Sequence, residues 1–227
     1  MFSLESSLDA SSFVKSRDIY DNNFKKVLNL INYCYNILIS EEKPHKYPKK
    51  FQLEIHLTKM LVSYLKKYKF EFGLDNLGFE LEVGLEQENG HLKFLDIKVC
   101  NVSHYFMDAY IEDIYYAIEC KRLDESSDKI TYYIKGGILR FVKSEYAKNL
   151  HSASMVGYVE NGNLNKIIDK INVKLKAGLA DIETEKLLNK YVINRHNSCY
   201  HSIHLKYDSA EKIDIYHLIL DYQPILK

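Results

Sequence analysis

Three residues near the middle of the chain combine the types that activate phosphate esters: Asp108, Glu119 and Lys121. Asp108 closes the segment Tyr105-Phe106-Met107-Asp108, and the Glu-x-Lys triplet closes the apolar run Tyr115-Tyr116-Ala117-Ile118. Ala109-Tyr110-Ile111 and Ile114-Tyr115-Tyr116 read as two strands turning at Glu112-Asp113, which sets Asp108 opposite Glu119. Opposite residues of a ladder share a face with Cβ atoms roughly 5 Å apart, and Lys121 joins that face by the period of two. Mg2+ takes oxygen ligands, keeps several waters and needs only one or two carboxylates beside phosphate oxygens. Asp108 and Glu119 are its expected carboxylates, the Cys120 carbonyl is a third oxygen, and Mn2+ is expected to substitute. Lys121 is then placed to position the attacking water or to offset charge developing on phosphorus.

The Asp…Glu-x-Lys pattern on paired strands resembles the PD-(D/E)xK nuclease superfamily, which includes restriction endonucleases and many bacterial repair and defence nucleases. Met107 stands where a proline often precedes the first acid. The resemblance implies a restriction-endonuclease-like core with a helix before the catalytic strands, often carrying a further acid. Glu54, on the apolar-periodic stretch from Phe51 to Phe70, matches that acid. Tyr132 to Phe141 resembles the helix after the catalytic strand, which implies phosphate contacts for Lys135 or Arg140. Met155 to Val159 resembles the next core strand. Ser202-Ile203-His204 and Tyr216 to Leu220 resemble the closing hairpin of a subgroup of small bacterial nucleases, with His204 as a further substrate-binding candidate.

A second acidic-x-Lys triplet exists. Asp96-Ile97-Lys98 follows Glu80, Glu82 and the turn Glu88-Asn89-Gly90, and so has hairpin geometry and acids of its own. Such triplets arise by chance in a chain of which about a quarter is charged. The Asp108 site is preferred because Tyr115 to Ile118 reads as a buried central strand, and because Lys121 precedes a basic residue and then a helix. A surface pairing with no chemistry is the bland alternative. The cluster His196, Cys199, His201 and His204 would need a bulged strand to close a zinc tetrahedron, so ordinary strand and turn residues are the favoured reading there.

These candidates need elements to position them. Apolar spacing predicts a helix from Asn22 to Ser40 and another over 51–70, with a Pro44/Pro48 break between them. Strands are expected near 78–86, 91–100, 104–111 and 114–121, and a helix over 127–147. A strand at 153–160, a helix at 162–177 and a short helix at 181–190 follow. Strands 199–207 and 213–221 close the chain. The alternation is that of an α/β protein with a mixed sheet flanked by helices. Residues 1–50 read as an N-terminal extension and helix, and 51–227 as the nuclease domain.

The 227 residues carry 31 basic and 31 acidic side chains, a neutral balance unusual for a protein that grips nucleic acid unaided. The clearest basic patch is Lys43, His45, Lys46, Lys49 and Lys50, which is equally a solvated loop. Scattered cysteines indicate neither disulfide framework nor zinc ribbon, and no apolar run reaches membrane-span length, so a cytoplasmic location is expected. The leading reading is a metal-dependent nuclease acting on DNA, with RNA second, as effector of an anti-phage or restriction system; the defence setting comes from the resemblance alone. The alternative is a non-catalytic nucleic-acid-binding or complex-forming subunit. No phosphate-binding loop is present, so any ATP-driven step would fall to a helicase or ATPase partner. A homodimer is the remaining partner considered.

Overall fold

The computed structural model of the protein describes residues 10–41, 53–86, 90–101, 115–146, 150–195, 197–207 and 209–226. Its centre is β3 (Tyr115–Leu123), whose sequence is apolar on both faces up to the Glu-x-Lys triplet. Such a strand needs neighbours on both edges and helices on both sides. It pairs antiparallel with β2 (Leu92–Asn101), which pairs antiparallel with β1 (Leu77–Glu86). On its other edge it pairs parallel with β4 (Ser152–Val159), followed by β7 (Lys212–Asp221), also parallel. β6 (Ser198–Leu205) and β5 (Thr184–Val192) complete a seven-stranded mixed sheet in the order β1-β2-β3-β4-β7-β6-β5.

Strand alternation divides the core in two. Even-numbered β3 residues Ile118 and Cys120, with Val156 and Tyr158 of β4, pack against α1 (Ala10–Glu41) and α2 (Leu53–Tyr68). Odd-numbered Ala117 and Leu123, with Ala153 and Met155, pack against α3 (Ser127–Tyr133) and α5 (Leu164–Lys176). α3 continues through a π-helical turn (Ile134–Ile138) into α4 (Leu139–Val142). The turn holds Gly136 and Gly137, each costing about 1 kcal/mol of helix propensity relative to alanine. At Gly137 a Cβ would lie 2.1 Å from Met155 Cε, so glycine lets the helix close on the sheet. Among the described residues no helix is long and apolar enough to cross a membrane. The four cysteines are buried free thiols.

Three expectations need correction. The hairpin centred on Glu112-Asp113 does not supply the neighbour of β3, whose two edges belong to β2 and β4. Residues 102–114, Asp108 among them, lie outside the described residues. The segment expected as a short helix at 181–190 is instead β5, because pairing with β6 overrides the helix preference of Glu, Lys and Leu. Finally, α1 begins at Ala10, well before Asn22, and its Val27, Leu28, Ile31 and Leu38 are core residues.

Away from β3, the odd face holds a buried polar chain. His217 Nδ1 meets the Tyr133 hydroxyl at 2.9 Å, and its Nε2 meets Ser202 Oγ at 2.8 Å. Ser202 Oγ also meets His204 Nε2 at 2.8 Å, and His204 Nδ1 meets Thr184 Oγ1 at 3.1 Å. His204 therefore locks β5, β6 and β7 together and is fully buried, which removes it from any substrate surface. Burial, reinforced by His201, lowers the His204 pKa to about 4, and burial beside His204 and His201 holds His217 well below its ordinary value. Both rings are neutral in the folded chain and take up protons near 6.5 once unfolded. Their stabilisation is thus complete above pH 6.5 and is lost as the pH falls toward 4, by up to about 1.4 kcal/mol per pH unit for each ring. Denaturant unfolding between pH 7 and 4.5 is expected to show this slope, reduced in His204→Gln; an unchanged slope in that variant would sink the assignment.

Candidate active site

The site forms where β2 parts from β3. Their backbone pairing runs from Cys100↔Tyr115 to Ile97↔Ile118, and one step further along that register sets Asp96 against Glu119. Beyond it the N–H groups on this edge of β3 have carboxylate partners. Cys120 N donates to Asp96 Oδ2 at 2.7 Å, and Arg122 N donates to Glu54 Oε2, from α2, at 3.0 Å. Two carboxylates thus cap donors that a continuing strand would have bonded, meeting the rule that buried backbone groups find partners.

A kink in the β1–β2 pair explains the parting. Leu81↔Ile97 and Val83↔Leu95 pair on either side of the Glu82/Asp96 position, where Glu82 has φ 51°. The alternation inverts there. Leu81 and Ile97 pack toward α1 and α2, whereas Leu85 and Leu95 pack toward the opposite core. A left-handed non-glycine residue costs of order 1–3 kcal/mol, and such strain concentrates at functional sites. Asp96 therefore sits at the strained bend that carries β2 away from β3.

Lys121 stands at the focus of the cluster. Its Nζ lies 2.6 Å from Glu119 Oε1, 3.2 Å from Asp96 Oδ2 and 3.4 Å from Glu54 Oε1, and it donates to the Cys120 carbonyl at 2.7 Å. Arg140 Nη1 reaches the same Glu119 Oε1 at 3.3 Å and donates to the Tyr146 hydroxyl. Glu119 Oε2 is buried and has no hydrogen-bond partner among the described residues. Three carboxylates face two cations, with Glu119 and Lys121 buried and Glu54, Asp96 and Arg140 partly exposed around them. Burial pushes the Glu119 carboxyl up to about 7, against the pull of Lys121. Burial also raises Glu54. The Lys121 ammonium is drawn down by burial, but Glu119, Asp96 and Glu54 outweigh this and hold it above its ordinary value. We read Lys121 as charged and Glu119 as poised near neutrality.

The structure thus brings together Glu54, Glu119, Lys121, Arg140 and the Cys120 carbonyl, all expected from the sequence. It adds Asp96, which the sequence offers as the acid of the separate Asp96-Ile97-Lys98 triplet and not as a partner of Glu119 and Lys121. The signal that could have found Asp96 was the 91–100 strand itself, which pairs with β3 across the intervening 102–114 segment. Lys135 lies exposed on the π turn, and His204 belongs to the buried chain above. For zinc, His196 is outside the described residues, and Cys199 packs in the core on the α1 and α2 side while His204 lies in the buried chain.

Among the described residues, no group of three or more His, Cys, Asp or Glu side chains is arranged to hold a metal ion; the ammonium of Lys121 occupies the middle of the carboxylates. The donor set nevertheless suits a hard dication that retains its waters, since Asp96, Glu119 with its orphaned Oε2, and the Cys120 carbonyl are oxygen donors on adjoining strands. No family model, curated protein or solved structure matches the chain.

Removing Lys121 leaves Glu119 buried without its closest counter-ion, and breaking a buried pair costs about 3–5 kcal/mol. The cost depends on pH. At pH 6 the Glu119 carboxyl can remain protonated, whereas at pH 8 it must stay protonated against solvent or ionise with only the more distant Arg140 beside it. Lys121→Met is therefore expected to lose more stability at pH 8 than at pH 6, measured by denaturant unfolding in EDTA. Equal losses would show that Glu119 does not depend on the pair.

Proposed function

We propose that this protein is a metal-dependent nuclease, hydrolysing phosphodiester bonds at the Asp96–Glu119–Lys121 cluster. The observation that carries the reading is the convergence of carboxylates from α2, β2 and β3 on one buried lysine, with one carboxylate oxygen of Glu119 left unpartnered. The surrounding order also supports it. A helix, three antiparallel strands, a second helix and a parallel strand follow one another in the α/β sheet, an order compatible with the resemblance to PD-(D/E)xK nucleases. Asp96 takes the role of first acid in this reading, Glu119 and Lys121 those of the Glu-x-Lys pair, and Glu54 that of the helical acid.

Asp96, Glu119 and the Cys120 carbonyl would hold Mg2+ or Mn2+. When bound, such an ion polarises the phosphate and makes water a better nucleophile. Glu54, anchored through Arg122 N, holds its carboxylate toward Lys121 and so orients the ammonium. Lys121 positions the attacking water or meets the charge that grows on phosphorus, where a preorganised cation is most effective. Arg140, partly exposed beside Glu119, is available to a phosphate oxygen. DNA is the favoured substrate and RNA the second; a restriction or anti-phage setting remains the expectation from the resemblance. The balanced charge favours a second reading, a non-catalytic subunit that leaves grip and ATP use to a partner.

Purified protein incubated with plasmid, single-stranded DNA and RNA is expected to cleave in Mg2+ and not in EDTA. Lys121→Ala should lose roughly 10²–10³ in rate while still binding Mn2+ in a calorimetric titration. Asp96→Ala should lose both activity and metal affinity, because a hard cation forfeits one of few protein oxygens. Should Asp108→Ala be inactive and Asp96→Ala active, Asp108 is the first acid. A wild-type chain with neither cleavage nor metal binding refutes the proposal.

A further inference from the structure

A cleft of about 330 Å³ opens beside the cluster, lined by Glu54, Arg122, Asp128, Lys129 and Tyr132. Glu54 belongs to both, so the cleft is continuous with the carboxylates around Lys121. Its size falls at the small end of the roughly 300–1,000 Å³ of small-ligand sites, enough for one unit of a polymer and not for the side of a double helix.

Tyr132 gives this cleft its character. It is 53% exposed, whereas the adjacent Tyr133 is fully buried. Its ring is braced against the helix one turn on. A Cβ at Gly136 would stand 3.1 Å from Cε2 and 3.3 Å from Cζ, so the glycine lets the ring lie a few tenths of an ångström closer to the helix than a side chain would. On the site side, Lys121 Nζ lies 5.7 Å from the ring centre. An aromatic side chain held this way presents a rigid π surface at low entropic cost.

The charges around it point to the same class of ligand. Lys129 Nζ is bound to Glu160 at 2.6 Å and Asp124 at 3.0 Å, and Arg122 Nη2 to Glu160 at 2.8 Å. Both cations are thereby neutralised, and Asp128 and Glu54 add negative charge. Such a cleft repels a run of phosphates but suits an uncharged planar group attached to one. We infer that Tyr132 is a stacking platform for an unpaired nucleobase flanking the phosphate at Lys121, so that the substrate is single-stranded, or locally unpaired, nucleic acid. This inference rests on the nuclease reading of the same site. Stacking also fits the neutral chain, because it draws on ring contact and not on net charge.

The test uses the full chain and a fluorescent DNA oligonucleotide, single-stranded or annealed to its complement. Anisotropy in EDTA gives binding, and cleavage in Mg2+ gives kcat and KM. Wild type is expected to bind and cleave the single strand in preference to the duplex. Tyr132→Ala should weaken single-strand binding about tenfold, raising KM with kcat little changed, and Tyr132→Phe should restore it. An oligonucleotide with one abasic position beside the cleaved bond should weaken wild-type binding by the same factor and add no loss in Tyr132→Ala. If Tyr132→Ala keeps the wild-type KM, or loses duplex and single strand equally, the platform is wrong while the nuclease reading stands. If wild type neither binds nor cleaves any nucleic acid, both fall.

Discussion

The burial of Lys121 among Glu119, Asp96 and Glu54 is the interaction on which the rest of the site depends. Each carboxylate arrives from a different element, and each would repel the others in a dry environment without the ammonium between them. In low effective dielectric both the attraction and the repulsion are several times stronger than in water. The lysine is thus a structural keystone as much as a candidate catalyst. It keeps the ends of β2, β3 and α2 in fixed relation while the surrounding backbone is strained at Glu82.

The wider architecture serves that convergence. Because β3 is central, its end lies within reach of helices from both layers: α2 delivers Glu54 from one side, and the helix through the π turn delivers Arg140 and Tyr132 from the other. The parallel neighbour β4 pairs with β3 from Ile118 to Leu123, Glu119 lying beside Met155 and Lys121 beside Gly157. Gly137 and Gly157 keep this packing tight. At Gly157 a Cβ would stand 2.5 Å from Leu123 Cδ1 of β3, so side chains of the neighbouring strands close over it and leave no room for a methyl group.

Much of this was legible in the sequence, and the reasons it was not complete are physical. Apolar runs ending in charge mark β3 with Glu119 and Lys121, and helical spacing marks α2, while Glu54 is singled out on that helix only through the resemblance. Asp96 is hidden by its own triplet with Lys98, and a tight turn at Glu112-Asp113 points to Asp108 opposite Glu119, whereas β2 reaches β3 across a longer connection. No periodic signal reveals that a side-chain carboxylate will cap N–H groups vacated by a departing strand. His204 shares its face with Ser202 by simple alternation, but its burial depends on His217 from β7, a partner no local pattern names. The β5 segment has helix-forming residues throughout its middle and becomes a strand only because β6 offers it an edge.

The chain from Tyr133 through His217, Ser202 and His204 to Thr184 carries one hydrogen per contact when both rings are neutral. Ser202 has a single proton to donate and two ring nitrogens to satisfy, so if it gives to His204 it must receive from His217. Every other link then follows: Tyr133 donates at one end and Thr184 accepts at the other, or all the bonds run the opposite way. The five residues form a proton wire with two polarities and no stable mixture of them. A change of donor at Tyr133, on the residue next to Tyr132, would therefore be felt at once on the edge strand across the sheet, with no backbone movement needed to carry it.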